Sequence, residues 1–335
     1  MRRVNILFTS VGRRVELVRA FKRAYASLGL EGRLSATDLD PLAPGLQEVD
    51  EVHLVPPLRD PSYVEALAEI CRRDEVDLVF PLIDPDAPVL AANRATLEAT
   101  GTRVVVLPEP SVNIVSDKWA THTFLSGEGV PTPETWLPEQ RSAAVLRYPV
   151  FIKPRGGSAG KQTFLINNER EHAFFVDYVV DPVLQEYVEG PEVTSDVVCD
   201  LRGGLLGVVS RERIEVRAGE VAKGKTIHDP EIERHCVRIA RALETVGPIT
   251  VQCLRKGGKP LFTEINPRFA GGVPLAIAAG ADFPMWLLAS VAGLPVEIPP
   301  LGAYDRDLYA TRYDNSFWLT RESLKDVESR RLRSR

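Results

Sequence analysis

The chain has 335 residues, with 41 Lys and Arg against 46 Asp and Glu and a formal net charge of -5. That length exceeds one ordinary domain and provides for two or three, each with its own core, while the charge balance gives no overall attraction to nucleic acid or to an acidic membrane. No segment approaches the ~20 apolar residues of a membrane helix. The short N-terminal apolar run is followed by Arg13 and Arg14 rather than by a cleavage site, and the four cysteines form no C-x-x-C pair, so a soluble, reduced, cytoplasmic protein is expected.

From Val4 to about Leu107, short apolar runs ("VNILFT", "RLSATD", "VHLV", "VDLVFPLID", "RVVVLP") alternate with stretches of helical period ("VELVRAFKRAYASLG", "YVEALAEICRR"). Strand and helix taking turns predicts an open α/β domain with a parallel sheet over residues 1–110. Ligands of such sheets sit beyond the carboxyl ends of the strands. This marks "TSVGRR" (9–14), "TDLD" (37–40) and "LIDPDAP" (82–88) as candidate substrate loops. Arg13 suits an anionic group and Asp84 or Asp86 an amino group; helix entry and capping is the alternative role for these residues. Gly12 stands alone, so the three spaced glycines of a dinucleotide fingerprint are absent.

After a short helix, "SDKWATHTFLSGEG", the prolines of "VPTPETW" force an extended chain. From Tyr148 the grammar becomes α+β and largely antiparallel, with residues 111–190 read as a smaller unit and 191–335 as a larger one. "FIKPRGGSAGKQTF" places Gly156, Gly157, Ser158 and Gly160 in a basic loop whose free N–H groups suit a polyphosphate. It is not a Walker A loop, because the glycine spacing is short and a strand follows. Lys153, on the preceding strand, would meet phosphate as a point charge. In "LQEYVEGPEVTSD", Glu186, Val188 and Glu192 could serve a purine edge and a ribose diol, although a surface turn is the simpler reading. The helix "PEIERHCVRIARALETVG" sets Ile232, Cys236, Ile239, Ala240 and Leu243 on one stripe.

The last chemistry-bearing stretch is the hairpin "PITVQCLRKGGKPLFTEINPRFAGG". In an extended strand Glu264 and Asn266 share a face, and a carboxylate with an amide carbonyl forms a hard oxygen pair suited to Mg2+. Pro267 stops the strand and Arg268 falls just beyond, where a guanidinium can neutralise a phosphoryl group. Gln252 becomes a third oxygen donor only in the right register. A two-residue Gly257-Gly258 turn puts Val251 opposite Glu264, whereas a three-residue turn brings Gln252 there. A metal site therefore predicts a three-residue hairpin with a glycine at positive φ.

In this order these segments resemble the ATP-grasp superfamily, especially its branch around the carbamoyl phosphate synthetase large subunit and stand-alone carboxylate–amine ligases. The matching pieces are "SDKWATHTFLSGEGVPTP", "YPVFIKPRGGSAGKQT", "QEYVEGPEVTSD", "VQC" and "TEINPRFAGG". The resemblance implies a pre-grasp α/β domain, then a two-part ATP-grasp core. Lys118, Lys153 and the glycine loop would meet the ATP phosphates, Glu186 and Val188 the adenine, and Glu192 the ribose. His228 matches loosely a histidine near the nucleotide. Gln252, Glu264 and Asn266 would hold Mg2+, or Mn2+ in its place, with Arg268 beside the γ-phosphate and Gly271 and Gly272 at the acceptor. The implied activity is ATP-dependent joining of a small carboxylic acid to an amine through an acyl phosphate; a homodimer is the general expectation for a soluble enzyme. Phosphorylation of bicarbonate or carbamate, and ATP binding without turnover, are the alternatives.

Overall fold

The structure, a computed structural model, describes residues 3–140, 146–157, 160–217 and 219–330. The N-terminal strands β1 (Ile6–Thr9), β2 (Leu34–Asp38), β3 (Glu51–Leu54), β4 (Leu78–Pro81) and β5 (Arg103–Val104) form a parallel sheet in the order β3-β2-β1-β4-β5. Its inner strands are buried on both faces because helices cover both. Helix α1 (Val15–Leu28) turns Leu17, Val18, Phe21, Ala24 and Tyr25 inward, and Gly29, in the left-handed region at φ 60°, ends it. Helices α2 (Tyr63–Arg73), α3 (Asp86–Ala92) and α4 (Arg94–Glu98) complete this layer. Strand order reverses between β1 and β4, so the loops after them open on one crevice.

Helices α5 (Glu109–Ser116) and α6 (Lys118–Gly127) lead to a four-stranded sheet of β6 (Thr135–Trp136), β7 (Val150–Pro154), β8 (Phe164–Ile166) and β9 (Pro182–Glu186), with α7 (Glu169–Tyr178) against it. Then comes a six-stranded antiparallel sheet. It holds β10 (Glu192–Cys199), β11 (Leu205–Arg217), β12 (Glu220–Ile227), β13 (Gly247–Lys256), β14 (Lys259–Asn266) and β15 (Tyr309–Thr311), in the order β14-β13-β10-β11-β12-β15. Helix α8 (Pro230–Ala242) lays Ile232, Cys236 and Ile239 on one face of this sheet, against Val193, Val197, Val251, Cys253, Phe262 and Ile265. Helices α9 (Val273–Ala278) and α10 (Phe283–Ala292) pack against α1, and α11 (Arg321–Ser329) lies along β3. Helices α5 and α6 pack against β14, so the segment assigned from sequence to the smaller unit also supports the larger sheet.

The β13–β14 register departs from both sequence alternatives. Lys256 pairs with Lys259 across a two-residue turn in which Gly257 and Gly258 have φ of 57° and 84°, both left-handed, as the tight hairpin requires. The expected three-residue hairpin is absent, yet Gln252 still pairs with Glu264, because the register shifts after Cys253–Phe262. Thr263 is the extra residue of a bulge. It lets Phe262 and Ile265, three apart, enter one core while Glu264 and Asn266 keep the opposite face.

Phe269, just past Arg268, is 1% exposed and lies 6.0 Å, ring centre to ring centre, from both Phe21 and Phe80 of the N-terminal domain. It fastens the residues after the hairpin to the first sheet. Phe269→Ala should cost about 3–5 kcal/mol, seen as a lower midpoint in denaturant-induced unfolding.

Candidate nucleotide and metal site

Part of the face of the large sheet opposite α8 is polar, the rest being covered by α10. Thr250 pairs with Asn266, Gln252 with Glu264, and Thr194 of β10 with Gln252, so these side chains stand on one surface. Beneath them Arg211 and Asp196, 2% and 3% exposed, form a bidentate pair of 2.7 and 3.1 Å. The paired glycines after Arg268 make room for charged groups. A Cβ on Gly272 would lie 2.1 Å from Arg211 Nη1, and one on Gly271 would lie 2.3 Å from Arg14 Nη1 and still closer to Glu220. Their small size thus makes room for two arginines.

Asn266 is 4% exposed and its carboxamide faces Asp84 and Glu264. With its nitrogen turned toward them it donates to Asp84 Oδ1 at 2.9 Å, Asp84 Oδ2 at 3.3 Å and Glu264 Oε1 at 3.1 Å; with its oxygen turned toward them, only acceptors meet. Arg268 Nη2 donates to Asp84 Oδ2 at 2.9 Å, while its buried Nε has no partner among the described residues. The donors are two carboxylates and amides, a hard oxygen set that fits Mg2+ or Mn2+. No group of three or more His, Cys, Asp or Glu side chains converges as a metal site among the described residues.

The cations opposite carry no direct acid partner among the described residues. Lys153 Nζ donates to Gln185 Oε1 at 2.9 Å, and Lys118 Nζ to the Gly157 carbonyl at 2.9 Å. Burial lowers the Lys153 pKa to about 8, with Glu264 opposing and Lys118 reinforcing the shift. Burial also lowers that of Lys118, opposed chiefly by Glu264 and also by Asp117 and Asp84. Both lysines therefore lie within the field of the Glu264 face. Asp117 caps α6 by accepting from Trp119 and Ala120 N–H groups and pairs with Arg155, which anchors the start of the glycine loop. Gly156 and Gly157 lie in that loop, with Gly157 at φ 93°; Ser158 falls outside the described residues.

Glu186 pairs with Lys256 of the hairpin, Val188 is buried, and Glu192 meets Arg213 at 2.5 Å, so these three line the route from β9 into β10. His228 lies 3.6 Å from Glu233 of α8, packs edge-on against Tyr304 and sits against Gly302. One expectation needs correction. Asp86 is 0% exposed, accepting from Thr9 Oγ1 at 2.5 Å and Ser10 Oγ at 3.1 Å, and burial pushes its pKa up to about 6. It shapes the loop after β1 instead of reaching a substrate. Arg13 is exposed, 3.7 Å from Asp314.

Arg14, in the "TSVGRR" loop, and Arg312, in "DLYATRYDNSFW" (307–318), lie in stretches that the sequence marks for substrate choice. Both approach Glu220, at 3.2 and 3.7 Å, and with Arg13, Glu16 and Gly271 they line a small cleft of about 10 Å³. What spacing did not give is their shared partner, Glu220, because the three lie far apart along the chain.

Residues 115–272 match the family described as "ATP-grasp domain", and residues 6–105 match "PylC-like, N-terminal domain". Residues 115–272 thus form an ATP-grasp domain. Before it, the N-terminal sheet is of the PylC-like kind. Pyruvate carboxylase of Rhizobium etli is similar at 21% identity and a TM-score of 0.69, over 88% of this chain but only 29% of that one. The biotin carboxylase domain of the Hydrogenobacter thermophilus 2-oxoglutarate carboxylase, solved as a dimer with MgADP and bicarbonate, matches at 19% and 0.72, over 91% and 73%. An L-amino acid ligase of Bacillus licheniformis matches at 17% and 0.67, over 87% and 75%. At these identities the likeness is one of fold.

The depressed Lys153 pKa sets a pH dependence. The ammonium is present below about pH 8 and lost above it, so ADP affinity measured by calorimetry should fall as pH rises past 8. Lys153→Met should weaken binding by about tenfold or more, the worth of one charged hydrogen bond, and flatten the profile there.

Proposed function

We propose that this chain is an ATP-dependent, ADP-forming ligase that joins a small carboxylic acid to an amine. The observation that carries the reading is the meeting of Glu264, Asn266 and Arg268 with Asp84 on one side and the field of Lys118 and Lys153 on the other. In this reading residues 1–110 supply the substrate loops, 111–190 the lid and 191–335 the metal face.

A carboxylate is a poor electrophile. Transfer of the γ-phosphoryl group from ATP makes it an acyl phosphate and releases ADP; the amine then attacks the acyl carbon, loses a proton and expels inorganic phosphate. Gln252, Glu264 and Asn266 would hold Mg2+, which would supply positive charge against the phosphates. The protein's own part is positioning and neutralisation. Lys118 and Lys153, which make no direct ion pair among the described residues, are available to a polyanion. Arg268 brings an unpartnered buried N–H, a group costly to leave unpaired and suited to a phosphoryl or carboxylate oxygen. Gly156, Gly157 and the loop beyond them would close over the phosphates and keep water from the acyl phosphate. Arg13, Arg14 and Arg312 border the small cleft at the end of β1, paired with Asp314, Glu220 and Glu16, and an anionic group of the acid would have to exchange for one of these partners there. Homodimerisation is the working assumption for the assembly.

ADP release in the presence of ATP, Mg2+ and pooled acids and amines tests the ligase. Glu264→Gln should lower turnover by about a hundredfold or more, equivalent to about 3 kcal/mol of charge stabilisation. Background release with every pair, or an unchanged rate in Glu264→Gln, would sink the mechanism.

A further inference from the structure

We propose that Asp84, in the loop after β4 of the N-terminal domain, is a protein oxygen ligand of the divalent cation held by Glu264 and Asn266, so that the metal site is completed across two domains. This rests on the ATP-grasp reading of the metal face but assigns a residue outside the ATP-grasp sheet.

The first argument is the amide that Asp84 and Glu264 share. Asn266 is 4% exposed, and its carboxamide oxygen and nitrogen are interchangeable in shape. With the nitrogen inward, the group donates to both Asp84 and Glu264 and holds their carboxylates together without a metal. With the oxygen inward, Asp84 Oδ1 lies 2.9 Å and Glu264 Oε1 3.1 Å from it, three acceptors with no proton between them. A cation among them relieves that repulsion.

The second argument is metric. Magnesium bonds oxygen octahedrally at about 2.0–2.1 Å, which spaces adjacent ligand oxygens about 3 Å apart. The 2.9 and 3.1 Å separations are edges of that size.

The third is the division of labour within Asp84. Oδ1 makes the closer approach to Asn266, while Oδ2 accepts from Arg268 Nη2 at 2.9 Å. A ligating carboxylate whose second oxygen is held by an outer partner is oriented for the metal.

Charge points the same way. Gln252, paired with Glu264 in register, is neutral, so Glu264 is the one acid this hairpin face contributes. Asp84 brings the protein carboxylates to two, the upper end of what magnesium usually takes beside phosphate oxygens and water. The site is then sensitive to how the N-terminal domain sits, because the loop after β4 must be in place for the full donor set.

The test is Mn2+ binding to the full chain, read as loss of the free aqua-Mn2+ electron paramagnetic resonance signal, with Mn2+ alone and with Mn2+ plus ADP. Asp84→Asn should raise the Mn2+ dissociation constant about tenfold or more. Arg268→Met, which removes the outer partner but no oxygen ligand, should change it by less than about threefold. Equal affinity in wild type and Asp84→Asn overturns the assignment, as does equal weakening by both substitutions, which would mean Asp84 acts only through Arg268. If wild type binds no Mn2+ in either condition, the metal reading itself falls. Tight Mn2+ binding lost in Asp84→Asn, combined with no turnover of any acid–amine pair, keeps Asp84 as a ligand and removes only the ligase reading. Should Asp84→Asn fail to fold, wild-type crystals with Mn2+ and ADP decide. An anomalous peak about 2.2 Å from an Asp84 oxygen supports the proposal, and a peak on Glu264 and Asn266 with Asp84 beyond about 4 Å refutes it.

Discussion

One extra residue in one strand organises the functional face. A regular β14 would put Phe262 and Glu264 on the same side of the sheet, and either the core would take a carboxylate or the site a phenyl ring. The bulge at Thr263 resolves the conflict: Phe262 and Ile265 enter the apolar layer under α8, while Glu264 and Asn266 stand with Gln252 and Thr250 on the other face. The tight glycine turn and the oxygen pair, incompatible in an unbroken ladder, coexist because the ladder is broken between them.

The chain that leaves this strand is then fixed from the N-terminal domain. Phe269 packs among Phe21 and Phe80, Arg268 bonds to Asp84, and Gly271 and Gly272 pass so close to Arg14, Glu220 and Arg211 that a side chain would displace them. Hydrophobic burial supplies the attachment and the ion pairs supply the orientation. The proposed site thus lies at a boundary between domains, with the crevice at the β1/β4 strand reversal next to the polar part of the large sheet.

Charge is arranged unevenly across that boundary. The acids Asp84 and Glu264 face an amide and an arginine, and the lysines opposite are hydrogen-bonded to neutral oxygens of Gln185 and Gly157. Burial costs the Lys153 ammonium part of its hydration, which lowers its pKa and leaves a cation with much to gain from a phosphate. A nucleotide would therefore bring anionic oxygens to cations and, through its metal, a positive charge to the acids.

Much of this was legible in the sequence because it is local. Period-2 and period-3.6 patterns separated the parallel α/β domain from the antiparallel core, marked the α8 stripe, and placed Glu264, Asn266 and Arg268 in order at a strand end. What sequence spacing could not decide was set by contacts distant along the chain. The bulge at Thr263 depends on which residues the core across the sheet demands, so turn-counting alone predicted the wrong hairpin. Asp86 looked accessible until Thr9 and Ser10 closed around it. Asp84 met Asn266, and Arg14 met Arg312, only when the domains packed. Local periodicity and turn chemistry determined the elements; burial and charge pairing between elements far apart in the chain decided which side chains share a site.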